Sequence, residues 1–228
     1  MVLKKNKNIP DIITAGKDTV AVRMPNHPVT IELLQQIDFP LAAPSANPFN
    51  RISPTKAEHV AAYFDGKIPM VLDGGPCKKG IESTIVGFQN DTVVVYRLGS
   101  LAIEAIEKVV GPVQLNDKAK SAPTAPGMLA KHYSPKTKTI LVDDVKSVLK
   151  NFPNERIGVL SLQQNYQAPQ IEFAIQLSTT GNLEEAASKL YNALHLLDQK
   201  KLSLIIAERL PENGLGKSIN DRLERASS

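Results

Sequence analysis

From Gly111 to Pro135 the chain stops alternating apolar runs with helical patterns. Pro112, Pro123, Pro126, Gly127 and Pro135 punctuate a stretch rich in Lys, Ala and Ser. Proline fixes φ and removes a backbone donor, so neither a helix nor a central strand runs through such a segment. The 228 residues are therefore expected to fold as two globular parts, 1–112 and 139–228, joined by a linker at 113–138.

Each part reads as α/β. In the first, Thr19–Val22, Leu41–Ala43, Met70–Leu72, Ser83–Val86 and Thr92–Tyr96 are β-branched runs that predict strands, and Val2-Leu3-Lys4 resembles the end of another. Helices are predicted at Pro28–Gln36, Pro54–Tyr63 and Leu101–Val110, with Ser53 and Ser100 as N-caps for the second and third. Five strands with three helices make a mixed, twisted sheet short of cover on one face. In the second part, strands at Thr139–Val142, Ile157–Leu160, Ile171–Ile175 and Leu202–Ala207 alternate with helices at Val145–Asn151, Leu183–Asp198 and Ser218–Ala226. That order predicts a small, Rossmann-like domain with a largely parallel sheet.

Composition removes several classes of function. No apolar run is long enough to cross a bilayer, and Met1-Val2-Leu3-Lys4-Lys5 leads into no apolar core of a secretory signal. Cys77 is the only cysteine, which excludes an internal disulfide and fits a reducing cytoplasm. The four histidines include no ligand-spaced pair, so a structural metal is not expected. The net charge is +4, with Lys118, Lys120, Lys131, Lys136 and Lys138 close together. That bias suits ATP or RNA, and equally a solvated linker. Tryptophan is absent, so no aromatic platform for single-stranded RNA is visible.

The chemistry-bearing residues cluster between Pro40 and Val86. Pro44-Ser45-Ala46-Asn47, Arg51-Ile52-Ser53-Pro54-Thr55 and Gly80-Ile81-Glu82-Ser83-Thr84 place short hydroxyl and amide groups where apolar runs end. Such groups on a stiff backbone grip phosphate oxygens and small polar ligands. On an extended backbone Ser45 and Asn47 face the same way, although the same spacing suits an Asx or Ser turn. Arg23 and Arg97 each follow a β-branched run, from which guanidinium forks can reach a carboxylate or a phosphate; surface arginine is the plainer reading of each. Gly216-Lys217-Ser218 lacks the first glycine of a phosphate-binding loop. His132 with Cys77 or Ser83 lacks a third, orienting group.

Taken together, these segments resemble the threonylcarbamoyl-AMP synthase family in its long form, with a YrdC-like catalytic domain and a smaller C-terminal domain. The likeness extends over Asp18-Thr19-Val20-Ala21-Val22-Arg23, Ala43-Pro44-Ser45-Ala46-Asn47, Leu72-Asp73-Gly74-Gly75-Pro76 and Glu82-Ser83-Thr84-Ile85-Val86. It continues through Ala125-Pro126-Gly127-Met128, Lys131-His132-Tyr133-Ser134-Pro135 and Asn220-Asp221-Arg222-Leu223.

The resemblance implies an enzyme of the cytoplasm that joins L-threonine, bicarbonate and ATP, with Mg²⁺, into threonylcarbamoyl-AMP and pyrophosphate. A tRNA threonylcarbamoyl transferase machinery then modifies tRNA. It implies that Thr19, Ser45, Ser53 and Arg97 contact ATP, that Asn47 supports the nucleotide pocket and that Tyr133 closes over it as a lid. Arg23, the backbone at Ala43 and Ser83 hold threonine; metal ligands stay unassigned. The competing expectation is a non-catalytic double-stranded RNA or tRNA binder. One departure stands out: family members carry an N-terminal Lys-x-Arg that grips phosphates, and none occurs upstream of Thr19. The expectation is thus an N-terminally incomplete catalytic domain with weak or no synthase activity on its own.

Overall fold

A computed structural model describes residues 1–116 and 132–228. The first part is a five-stranded mixed sheet. Its strands are β1 (Val2–Lys4), β2 (Thr19–Ala21), β3 (Ile85–Gln89), β4 (Thr92–Arg97) and β5 (Gln114–Leu115), in the order β2-β1-β3-β4-β5. β1 pairs antiparallel with β2 and parallel with β3, β3 antiparallel with β4, and β4 parallel with β5. Helices α1 (Asp11–Thr14), α2 (Pro28–Gln35), α3 (Ala57–Phe64) and α4 (Ile103–Val110) accompany it, and none of the four has a fully buried residue.

The second part holds β6 (Thr139–Val142), α5 (Val145–Leu149), β7 (Ile157–Ser161), β8 (Ile171–Gln176), α6 (Leu183–Asp198), β9 (Leu204–Glu208) and α7 (Leu215–Ala226). Its sheet, ordered β6-β9-β7-β8, is parallel at every pairing. β7 is buried along its whole length, as expected of a parallel strand covered on both faces. Asn182 caps α6 by accepting from the N–H groups of Glu184 and Glu185.

Several expectations fail, each for a local reason. Leu41–Ala43 and Met70–Leu72 are not strands: Leu41, Met70 and Leu72 are exposed, and a β-branched or apolar run without a neighbour has no ladder to join. Ser53 and Ser100 cap nothing. The helix after Ser53 begins only at Ala57, behind Lys56, and α4 begins behind Ala102. The Ser53 hydroxyl turns to Glu82 (2.7 Å). Of the linker read at 113–138, Gln114–Leu115 is in fact the edge strand β5. The segments Ala125-Pro126-Gly127-Met128 and Lys131, with Lys118 and Lys120, lie outside the described residues. The short helix α1 is unforeseen.

Burial is distributed unequally. Among the described residues, the large apolar side chains left exposed lie between Met1 and Leu115, apart from Phe173 and Leu196. The main core belongs to α6, α7 and their sheet, yet it also takes in Ile52, Ile81 and Tyr133. The first part therefore places some of its best-buried side chains against the second. Gly80 marks how near the two come: a Cβ there would lie 2.2 Å from the Ser188 carbonyl oxygen on α6.

Candidate active site

Five of the expected site residues, Arg23, Ala43, Ser53, Ser83 and Arg97, fall into two hydrogen-bonded groups. In the first, the Arg23 guanidinium, two residues beyond β2, donates to the Ala43 carbonyl. The His27 ring donates to the Gly74 carbonyl (3.1 Å), so three loops that are far apart in sequence meet there. Arg23 and Ala43 are both exposed.

The second group lies where the sheet meets the second part. Arg97, at the end of β4, donates through Nη2 to the Ser83 carbonyl (2.8 Å). Just before Ser83, the Glu82 carboxylate accepts from the Ser53 hydroxyl (2.7 Å), from the Tyr191 hydroxyl (2.9 and 3.2 Å to its two oxygens) and from Arg222 Nε (3.0 Å). Burial works against the Glu82 charge. The Arg222 guanidinium, the Ser53 hydroxyl and Arg97 outweigh it and hold the carboxyl below its ordinary value. Tyr133 is 1 % exposed, its ring 5.5 Å from that of Tyr191 and 5.2 Å from the Arg222 guanidinium. Burial pushes the Tyr133 hydroxyl up, so it stays protonated.

Asn47 and Ser45 do not converge from an extended backbone, because the chain bends at Ala46 and Asn47. Asn47 spends its Nδ2 donors within its own loop, on the Pro48 (2.9 Å) and Arg51 (3.2 Å) carbonyls. Ser45 is exposed, and Thr19 opens β2 opposite Lys4. Neither makes a side-chain hydrogen bond to the other expected residues.

A distinctive polar pattern surrounds the second group. Among the described residues, Asn47 Oδ1, Asn50 Oδ1, Thr55 Oγ1, His132 Nδ1 and the Tyr133 hydroxyl are buried without a hydrogen-bond partner. The strip is physically one place, since the Ser134 N–H donates to the Asn50 carbonyl (2.8 Å) and Arg51 bridges to Ser134. Buried polar atoms normally find partners.

Among the described residues, no group of three or more His, Cys, Asp and Glu side chains comes together to hold an ion. The nearby carboxylate, Glu82, is already engaged by three donors. Desolvation pushes the Cys77 thiol up, away from a reactive thiolate.

Sequence reasoning missed Glu82, Tyr191 and Arg222 as members of the site. A signal for Arg222 was present: it falls in the buried stripe of α7 with Leu215, Ile219, Leu223 and Ala226. An arginine in an apolar stripe needs an internal partner.

The mixed sheet, the parallel C-terminal sheet and the shared core between them define a two-part α/β protein. A family model described as "Telomere recombination" matches residues 1–99, and one described as "Threonylcarbamoyl-AMP synthase, C-terminal domain" matches residues 101–228. The chain belongs to the threonylcarbamoyl-AMP synthase family. It is 37 % identical over 225 residues to the Bacillus subtilis threonylcarbamoyl-AMP synthase, covering 94 % of this chain and 65 % of that one. It is 36 % identical to the Pyrococcus abyssi enzyme and 35 % to that of Schizosaccharomyces pombe, covering all of this chain and 69 % and 62 % of theirs. The chain thus spans about two thirds of the length of these relatives. The crystal structure of P. abyssi Sua5 complexed with L-threonine superposes with a TM-score of 0.88 at 37 % identity, over 99 % of this chain and 69 % of that one. No helix among the described residues is long and apolar enough to cross a membrane.

Proposed function

We propose that this protein condenses L-threonine, bicarbonate and ATP into threonylcarbamoyl-AMP, releasing pyrophosphate, in the supply of threonylcarbamoyl groups for tRNA modification in the cytoplasm. The observation that carries the reading is the likeness, over 99 % of the chain, to a relative solved with L-threonine. In the reaction, the threonine amine takes up the bicarbonate carbon as a carbamate with loss of water. A carbamate oxygen then attacks the α-phosphorus and pyrophosphate departs. No covalent bond to the protein is needed; the task is to hold two anions together and offset their repulsion.

Arg23 and Ser83 take the threonine carboxylate and hydroxyl side, with the Ala43 backbone beside them. Arg97, Ser45, Ser53 and Thr19 face ATP, Asn47 shapes the nucleotide pocket through its unpaired Oδ1, and Tyr133 closes the boundary side. Mg²⁺ enters with the ATP substrate.

Two measurements test this. The chain is assayed for pyrophosphate release that depends on both threonine and bicarbonate. The variant Ser45→Ala with Asn47→Ala is titrated with ATP by calorimetry, where abolished binding is expected and unchanged affinity refutes the pocket.

A further inference from the structure

Arg222 stands on α7 of the C-terminal part, yet its acceptors include groups of the N-terminal part that adjoin the candidate active-site residues. Its side chain is fully buried. Nε donates to Glu82 Oε2 (3.0 Å), Nη2 donates to the Leu98 carbonyl (2.6 Å), and Nη1 pairs with the carboxylate of Asp221 beside it. Glu82 immediately precedes Ser83, and Leu98 immediately follows Arg97. One turn earlier on α7, the Ser218 hydroxyl donates to the Gly99 carbonyl (2.9 Å).

The two segments grasped by α7 are in turn bonded to each other. Arg97 donates to the Ser83 carbonyl, and the Ser100 N–H donates to the Glu82 carbonyl (2.8 Å). They are packed so tightly that a Cβ on Gly99 would lie 2.3 Å from the Thr84 nitrogen.

A buried ion pair is a poor device for stability alone, since desolvating both charges consumes most of the Coulomb gain. What a planar guanidinium fork supplies is fixed direction toward several acceptors at once. We infer that Arg222 is a positioning residue: from the C-terminal part it sets Ser83 and Arg97 at the spacing the ligands require. The ligand side of this inference rests on the function proposed above; the local geometry does not.

The test compares the full chain with Arg222→Lys, which keeps the charge but loses the fork, and Arg222→Met, which keeps the bulk. Leu149→Ala serves as a control, because Leu149 is buried in the separate cluster around α5. The readouts are amide hydrogen exchange and calorimetric titration with L-threonine and with ATP. Exchange at residues 82–84 and 98–100 is expected to speed up about tenfold or more in both Arg222 variants, with the β7 and β9 amides as in wild type. Affinity for both ligands is expected to fall about tenfold, as when a preorganised site loses its supporting partners.

Leu149→Ala should do the opposite, loosening its own cluster and leaving ligand affinity alone. Unchanged or uniformly increased exchange in Arg222→Lys overturns the inference, as does failure of that variant to fold, which marks a purely structural role. If the wild type binds both ligands and Arg222→Lys binds them equally well, the inference fails and the proposed function stands. If the two segments loosen as expected but the wild type binds neither ligand, the clasp stands and the proposed function fails.

Discussion

The imidazole of His59 on α3 stacks on that of His195 on α6, with ring centroids 3.8 Å apart and planes 25° from parallel. One ring comes from each part of the protein. His59 Nδ1 accepts from the Thr55 N–H (3.2 Å), and His195 Nε2 donates to the Ser53 carbonyl (3.2 Å). Burial first, then His195 and Lys56, push the pKa of His59 down to about 4, against a smaller opposing pull from Glu58. Burial likewise lowers His195, against the Ser53 carbonyl and Asp198.

These shifts set the sign of a pH effect. The folded protein keeps both rings neutral, while the unfolded chain takes up protons near pH 6.5. Stability from this pair is complete above that value and is lost as pH falls from 6.5 toward about 4. Thermal midpoints measured across that window should decline with acidification, and His59→Gln should flatten the decline. An equally steep decline in the variant would remove the stacked pair as its cause.

Tyr191→Phe removes one donor from the Glu82 carboxylate and leaves the ring packed on Tyr133. A hydrogen bond to a buried charge is worth about 1.5–3 kcal/mol. Urea unfolding should show a loss of that order with little change in slope, because the same surface is exposed on unfolding.

Gly80→Ala should destabilise by about 1–3 kcal/mol through overpacking, since the added methyl meets the backbone of α6 at a positive φ of 68°. Neither the helix backbone nor the glycine conformation can yield easily. Gly66→Ala is the comparison: it shares a positive φ but meets nothing within 4 Å, so it should cost less in the same denaturant titration.

Leu190→Ala tests the shared core. Leu190 is fully buried in the cluster that also contains Ile52 and Ile81, and truncation there is expected to cost about 2–5 kcal/mol. Calorimetry should still show one transition at a lower midpoint, because both parts lose the same contacts. A first-part transition that stays at its wild-type temperature would show that the two parts do not unfold as a unit.

The C-terminal elements were nearly all legible in sequence, and Thr139–Val142 and Leu183–Asp198 agree residue for residue. There, apolar periodicity and burial coincide along β7 and β9, the inner strands of the parallel sheet, while Phe173 on the edge strand β8 stays exposed. Leu41–Ala43 and Met70–Leu72 misled because propensity measures fit to a pleated surface and is silent on whether a partner strand lies alongside. Ser53 misled for a different reason. Its helix-capping chemistry is local, while the Glu82 carboxylate that claims it lies 29 residues away. The polar strip around Asn47 and Tyr133 could be guessed from residue types, but the contribution of α6 and α7 could not, because it depends on contacts 109 and 140 residues apart.

That last separation has a consequence for biosynthesis. As the polypeptide leaves the ribosome, Glu82 emerges 140 residues ahead of the arginine that pairs with it, an interval of roughly seven to thirty seconds at ordinary translation rates. Throughout that wait the carboxylate lacks its guanidinium partner from α7, with Arg97 the cation its own sheet supplies. On the positioning role inferred for Arg222, Ser83 and Arg97 reach their final arrangement only after α7 has been made.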